Sequence, residues 1–163
     1  AGEDPLYLLR RLVRFAVEDI GLADPQALVQ ANAALQAFQF IGSPEGELAI
    51  AQAVIYLATA PKSNSAYVAL KAASKSARQT GSLMPPMHIL NAPTGMMKEL
   101  GYGQGYAYDH NSEHGFSGQE YFPDDMSRET YYEPGERGFE RDIGKRLAYW
   151  AKLRADVQNE KDN

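Results

Sequence analysis

The sequence predicts an all-α fold, and three observations carry that reading. A capping side chain is followed by proline at Asp4-Pro5, Asp24-Pro25 and Ser43-Pro44. That pairing starts helices, because Asp or Ser accepts a free first-turn N–H and proline has none to leave unmet. Apolar residues then recur at intervals of three and four rather than two. No stretch alternates convincingly as a strand, and no internal repeat is present.

In the first helix Leu9, Leu12, Val13, Ala16, Val17 and Ile20 form one stripe, with Arg10, Arg11, Arg14 and Glu18 largely elsewhere, and Gly21 ends it. The second, about 25–41, is rich in alanine with Leu28, Leu35, Phe38 and Ile41, and stops before Gly42. The third, about 45–60, is apolar nearly all the way round until Pro61 ends it. A helix without a polar face has to be covered on every side, either within its own domain or by another subunit, and both readings stand at this point. The fourth, about 64–79, sets Tyr67, Leu70, Ala73 and Ala77 on one side and Lys71, Lys75 and Arg78 at i, i+4 and i+7 on another. Gly81 and Pro85-Pro86 close this block, and a short helical turn from about Pro93 to Leu100 stops at Gly101.

Residues 101–138 carry six of the ten tyrosines and abundant glycine. A structureless loop of that length is uncommon in a compact domain, so an ordered wrap anchored by its aromatics is expected. A last helix, about 137–157, carries Phe139, Ile143, Leu147, Trp150, Leu153 and Val157 on one stripe. The expected organisation is a single helical domain over 1–157 and a polar tail, 158–163, that frays.

With 163 residues and 44% apolar composition the chain has enough material for a real core. The absence of cysteine removes disulfides, thiolate metal sites and cysteine nucleophiles, and fits a reducing, cytoplasmic setting. The longest apolar stretch, Leu48 to Ala60, falls short of the ~20 residues a membrane span needs. The opening AGEDP lacks an initiator Met and a signal segment, so the chain reads as a piece of something longer. The net charge of -5 is unevenly spread. Between Glu47 and Glu99 there is no acidic residue but five cations, Lys62, Lys71, Lys75, Arg78 and Lys98, whereas residues 102–136 hold eight carboxylates against Arg128 alone.

Catalytic patterns are incomplete. His110-Asn111-Ser112-Glu113-His114 matches H-x-x-E-H, in which two imidazoles hold zinc and the glutamate acts as base, but that chemistry needs a helix and the segment lacks helical periodicity. A solvated acidic loop is the better account, with incidental metal capture by Asp109, His110 and His114 as its limit. Gly101-Tyr102-Gly103-Gln104-Gly105 follows no strand and opens no helix, as a dinucleotide loop must. Gly144-Lys145 has Phe139 and Arg146 where a phosphate loop needs glycine and a hydroxyl. Gly115-Phe116-Ser117-Gly118 falls one residue short of a nucleophile elbow. No catalytic, cofactor or metal site is therefore assigned. The three cations at helical spacing, Lys71, Lys75 and Arg78, with Lys62 and Lys98 nearby, could track phosphates or receive an acidic peptide, set against an ordinary solvated helix face. Stacking of single-stranded bases on the tyrosines is opposed by the eight carboxylates.

Several phrases are too particular to be composition: Glu18-Asp19-Ile20-Gly21-Leu22-Ala23-Asp24-Pro25, Pro44-Glu45-Gly46, Ala60-Pro61-Lys62-Ser63-Asn64, Asn91-Ala92-Pro93-Thr94, Met97-Lys98-Glu99-Leu100-Gly101-Tyr102-Gly103 and Tyr131-Tyr132-Glu133-Pro134. In order, over about Ala1 to Leu153, they resemble the C-terminal region of the replication-associated recombination protein A family, the MgsA family of AAA+ ATPases. The His110 to Gly118 loop and the tail after Leu153 depart from it.

The resemblance implies an all-helical region similar to the clamp-loader collar that assembles as a homotetramer. It also implies an ATPase core, with its ATP and magnesium, that lies outside this chain, and action at stalled replication forks. Contact with DNA forks and with single-stranded-DNA-binding protein is a family expectation. Ile50, Tyr56, Tyr67 and Leu70 are the candidates for core or oligomer interface, two roles that sequence alone does not divide. Lys62, Lys71, Lys75, Arg78 and Lys98 are the candidates for DNA or partner docking.

Overall fold

The computed structural model describes residues 2–112 and 115–161. Among them it holds six α-helices and no strand. The chain divides into two compact units, one holding the chain to Ala72 together with Tyr131–Lys145, the other Ala73–Thr130 together with the chain from Arg146.

In the first unit α1 (Pro5–Phe15) starts as the sequence predicts, with the Asp4 carboxylate accepting from Leu6 N–H at 3.0 Å. It does not run unbroken to Gly21. Ala16–Ile20 form a π turn, closed by the Gly21 N–H donating to the Ala16 carbonyl five residues back, and Gly21–Ala23 form a 3-10 turn. Ala16 and Ile20 are buried, while Val17, expected on the same stripe, is exposed.

Before α2 (Gln26–Ile41) the Asp24 carboxylate works twice, accepting from Gln26 N–H at 3.0 Å and from the Tyr56 hydroxyl at 2.8 Å. Ala27, Ala31 and Ala34 form the buried face of α2, and their small side chains let neighbouring helices approach closely. The third predicted cap is corrected. Ser43-Pro44 is a cis peptide in a turn, and α3 (Glu47–Thr59) begins three residues later. The Gly46 N–H donates to the Gly42 carbonyl at 2.6 Å, and a Cβ on Gly46 would stand 2.6 Å from that oxygen, so the reversal needs glycine before a helix can start. Ile50, Ala53 and Leu57 of α3 pack into two clusters, one with Ala16, Ile20, Ala27 and Ala31, the other with Leu9 and Ala34.

The segment 131–145 is tied to the same unit at two points. Phe139 N–H donates to the Ala23 carbonyl at 2.8 Å. Glu140, the first residue of α6 (Glu140–Lys161), is fully buried. Its carboxylate accepts from the Ser65 hydroxyl at 2.6 Å, the Tyr132 hydroxyl at 2.9 Å and the Gly135 N–H at 3.1 Å. Ser65, the first residue of α4 (Ser65–Thr80), is also hydrogen-bonded to the Ser63 hydroxyl.

The second unit contains the later part of α4, a 3-10 turn at Met87–Ile89, the short α5 (Gly95–Glu99) and most of the tyrosine-rich stretch. Thr94 caps α5, accepting from Met97 N–H at 3.3 Å. The stretch is irregular but braced: Gly103 N–H donates to Met87 O at 2.8 Å, and the Gln119 amide accepts from Ala107 N–H at 2.9 Å and donates to Gly105 O at 2.8 Å. Phe116 lies under the Arg154 guanidinium, 5.3 Å from ring centre, and Gly118 fits against Val157. Phe116, Phe122 and Tyr102 are half-buried, while Tyr106, Tyr108 and Tyr121 stay exposed. The last helix persists through Lys161, past the point where fraying was expected. No described helix is long and apolar enough to cross a membrane.

Candidate interaction surface

The third helix is covered by its own unit on one side only. Ile50, Ala53 and Leu57 sit at i, i+3 and i+7 and face the core, while Leu48, Ala51, Ile55 and Ala58 repeat at i, i+3, i+7 and i+10 on the other side and face solvent. Leu48 is 76% exposed and Ile55 66%. At the end of α2, Phe40 is 92% exposed and Ile41 follows it outward. Single exposed apolar residues are ordinary on a protein surface, but here they repeat along one side of α3, and a bare phenylalanine ends α2.

A second apolar surface lies between α1 and α4 in the first unit. Val13, Val17, Ala66, Tyr67 and Leu70 line a groove of about 510 Å³, and the stems of Arg10 and Arg14 form its rim. Arg14 pairs with Glu18 at 2.7 Å, and this hydrogen bond is the main reason its guanidinium pKa is raised and the Glu18 carboxyl pKa lowered.

The four interface-or-core candidates therefore separate. Ile50 is in the core, and Tyr56 is half-buried with its hydroxyl fixed on Asp24, a hydrogen bond that with burial raises its pKa. Tyr67 and Leu70 are exposed and share the groove. The sequence reading placed Val13 and Val17 on the core stripe of the first helix and so missed that they share this groove with Tyr67 and Leu70.

Of the five cations, Lys62 is committed elsewhere. Its ammonium donates to the Leu57 carbonyl at 2.7 Å and the Ala60 carbonyl at 2.6 Å, and lies 5.2 Å from the Phe15 ring centre. It satisfies the open carbonyl end of α3, where a cation also suits the helix dipole. Lys71, Lys75 and Arg78 are exposed on α4 at helical spacing, and Lys98 is exposed on α5. The structure does not place all five on one element.

Of the catalytic patterns, Glu113 and His114 lie outside the described residues, and His110 is exposed with its ring 4.9 Å from that of Tyr108. Gly101–Gly105 is turn chemistry after α5. Ser117 is buried, and its backbone N–H and hydroxyl bind Asp109, whose carboxyl pKa they lower. Gly144-Lys145 lies inside α6, where Lys145 pairs with Asp142 at 3.1 Å.

Comparison with known proteins gives a consistent result. Residues 1–151 match the family described as MgsA AAA+ ATPase C terminal. The chain is 48% identical over 163 residues to a Replication-associated recombination protein A of Coxiella burnetii, covering 99% of this chain and 37% of that protein. It is 49% identical over 152 residues to the Escherichia coli protein of the same name, covering 93% and 34%. A similarity at 43% identity over 134 residues reaches ATPase WRNIP1 of Dictyostelium discoideum, covering 82% of this chain and 15% of that protein. The chain thus spans about a third of the length of the first two relatives.

Proposed function

The chain belongs to the family of MgsA AAA+ ATPase C-terminal regions, and from that premise we propose that it is a self-association module that holds ATPase subunits together as a homotetramer. The observation that carries the reading is the doubly apolar α3, which packs one stripe into its own unit and presents Leu48, Ala51, Ile55 and Ala58 to solvent. Burying that stripe against another copy removes it from water, which is the main favourable contribution to such association. In this reading the chain performs no chemistry itself. ATP and magnesium belong to an ATPase core elsewhere in the whole protein, which in this reading acts in the cytoplasm in replication-fork maintenance and recombination; the relatives' names speak of replication-associated recombination.

Light scattering across a dilution series tests the proposal. A mass near four times 18.0 kDa that survives dilution supports it, and a monomer at every concentration overturns it for this chain.

A second reading is favoured by Lys71, Lys75 and Arg78, which stand exposed on α4 and make no ion pair among the described residues. They would dock DNA forks or an acidic partner such as single-stranded-DNA-binding protein. Binding to forked DNA that weakens steeply with added salt supports this reading, and indifference to DNA at low salt removes it.

A further inference from the structure

The turn between α2 and α3 and the groove between α1 and α4 belong to the same unit, and they match one another in two respects. The first is apolar form. Phe40, at one end of the turn, is 92% exposed, and Leu48, at the other, is bare as well. Neither lies in its own chain's groove, where Tyr67 and Leu70 are left uncovered. With about 510 Å³ the groove falls within the range that takes a drug-sized ligand, so a phenylalanine and an apolar neighbour fit its size.

The second is charge. Glu45 and Glu47 of the turn are exposed and make no ion pair among the described residues. The rim of the groove carries Arg10 and Arg14 against Glu18. Glu18 is bonded to Arg14 at 2.7 Å, which leaves Arg10 exposed and without a carboxylate partner among the described residues. The α4 side of the groove offers none, because that helix holds no acidic residue.

We infer that the groove receives the α2–α3 turn of a second copy, with Phe40 and Leu48 against Tyr67 and Leu70, and with Glu45 and Glu47 beside Arg10. The inference rests on the self-association reading and names the two surfaces that meet. Burial of the apolar side chains supplies the attraction, whereas the exposed charges add little energy and fix which way round the turn enters. In a two-fold pair each copy gives its turn and receives the other's, so the contact is made twice.

Two variants of the 163-residue chain test it by sedimentation equilibrium: one of the turn, Phe40→Ser with Leu48→Ser, and one of the groove, Tyr67→Ser with Leu70→Ser. All four side chains are exposed, so both variants should fold, which circular dichroism checks. Each alone should dissociate roughly 100-fold more readily than wild type. An equal mixture should associate at least about tenfold more tightly than either variant alone, because the intact groove of one meets the intact turn of the other. A groove variant that assembles like wild type overturns the inference in favour of contact between α3 faces, and a turn variant that does so overturns it in favour of contact between grooves; self-association stands in both cases. Two defective variants whose mixture recovers nothing also overturn it, since the two surfaces then serve separate contacts. A wild-type chain that is monomeric at every concentration removes the self-association reading and the inference with it. Charge gives a second readout that leaves the apolar side chains in place. Arg10→Glu should weaken association at low salt by roughly 2- to 10-fold, and mixing it with a chain carrying Glu45→Lys and Glu47→Lys should restore the loss. A mixture no tighter than either of these chains alone overturns the pairing.

Discussion

Removing the hydroxyl of Ser65 should cost this protein more stability than a half-buried serine ordinarily could. The Ser65 hydroxyl donates to the fully buried Glu140 carboxylate beside Ser63, Tyr132 and Gly135 N–H, and all of these donors are neutral. A buried carboxylate without a countercharge depends on such donors, helped here by its place in the first turn of α6. Burial alone would push the Glu140 carboxyl pKa up, but the hydrogen bonds from Ser63, Ser65, Tyr132 and Gly135 outweigh it and hold the group below the usual glutamate range. Ser65→Ala leaves the charge short of one charge-assisted bond, at about 2 kcal/mol, which for a chain of this size lowers the melting temperature by roughly 4–8 °C. The pH dependence separates this cause from lost packing. A carboxyl pKa lowered by folding contributes stability that is complete above the unfolded value of about 4 and is lost as pH falls through the folded value. The gap between wild type and Ser65→Ala, measured by urea unfolding, should therefore be full at pH 7 and shrink below about pH 4. A deficit under 0.5 kcal/mol at pH 7, or one equally large at pH 3, would refute the reasoning.

Tyr132 gives the complementary alkaline signature. Burial, then its bond to Glu140, raises its pKa to about 12, so the stability it contributes is intact below the unfolded tyrosine value of about 10 and is lost as pH rises toward 12, an effect Tyr132→Phe should abolish in the same unfolding assay. Gly138→Ala should unfold or badly destabilise the chain, by about 3 kcal/mol or more, because φ is +54° and the new Cβ would lie 2.0 Å from the Ala23 carbonyl; soluble yield and circular dichroism check it. Replacing Lys71, Lys75 and Arg78 together by glutamine should leave thermal stability within about 0.5 kcal/mol, since all three are exposed, while reducing any low-salt binding to forked DNA; unchanged binding removes the docking reading.

The helical content was legible because it rests on local rules. Asp4 and Asp24 cap as read, Gly42 ends α2, and the last helix forms, although Phe139 and Trp150 of its expected stripe stay exposed. The misreadings occur where a backbone detail outranks the pattern. Val17 lies in a groove and not in the core, and a glycine reversal at Gly46 delays α3 past a sound capping signal. Glu140 was invisible for a different reason. Its donors come from positions 65, 132 and 135, and no spacing rule links a carboxylate to serine 75 residues away. The candidate surface was half legible. Composition announced that α3 has two apolar faces, but only packing shows which one the unit covers. The fate of Lys62 likewise depends on where two carbonyls point.

The bare end of α2 and the open face of α3 together set how strong self-association should be. Phe40, Ile41, Leu48 and Ile55 are each more than half exposed, and fully burying a side chain of this size is worth roughly 1.5–3 kcal/mol. One copy therefore offers roughly 6–12 kcal/mol at this face, against an association cost of roughly 4–15 kcal/mol. A contact in which only one partner contributes such a surface lies near balance, whereas a two-fold contact doubles the gain and holds at micromolar concentration or below. The double substitution Phe40→Ser and Ile55→Ser removes half of these side chains from both sides of a two-fold contact at once, so the dissociation constant should rise by at least 100-fold while the exposed sites leave the fold intact. Sedimentation equilibrium reads that constant directly. A double variant that assembles like wild type would mean that the stripe is not the interface, and would move self-association to the groove between α1 and α4, where Tyr67→Ser and Leu70→Ser become the substitutions that dissociate it.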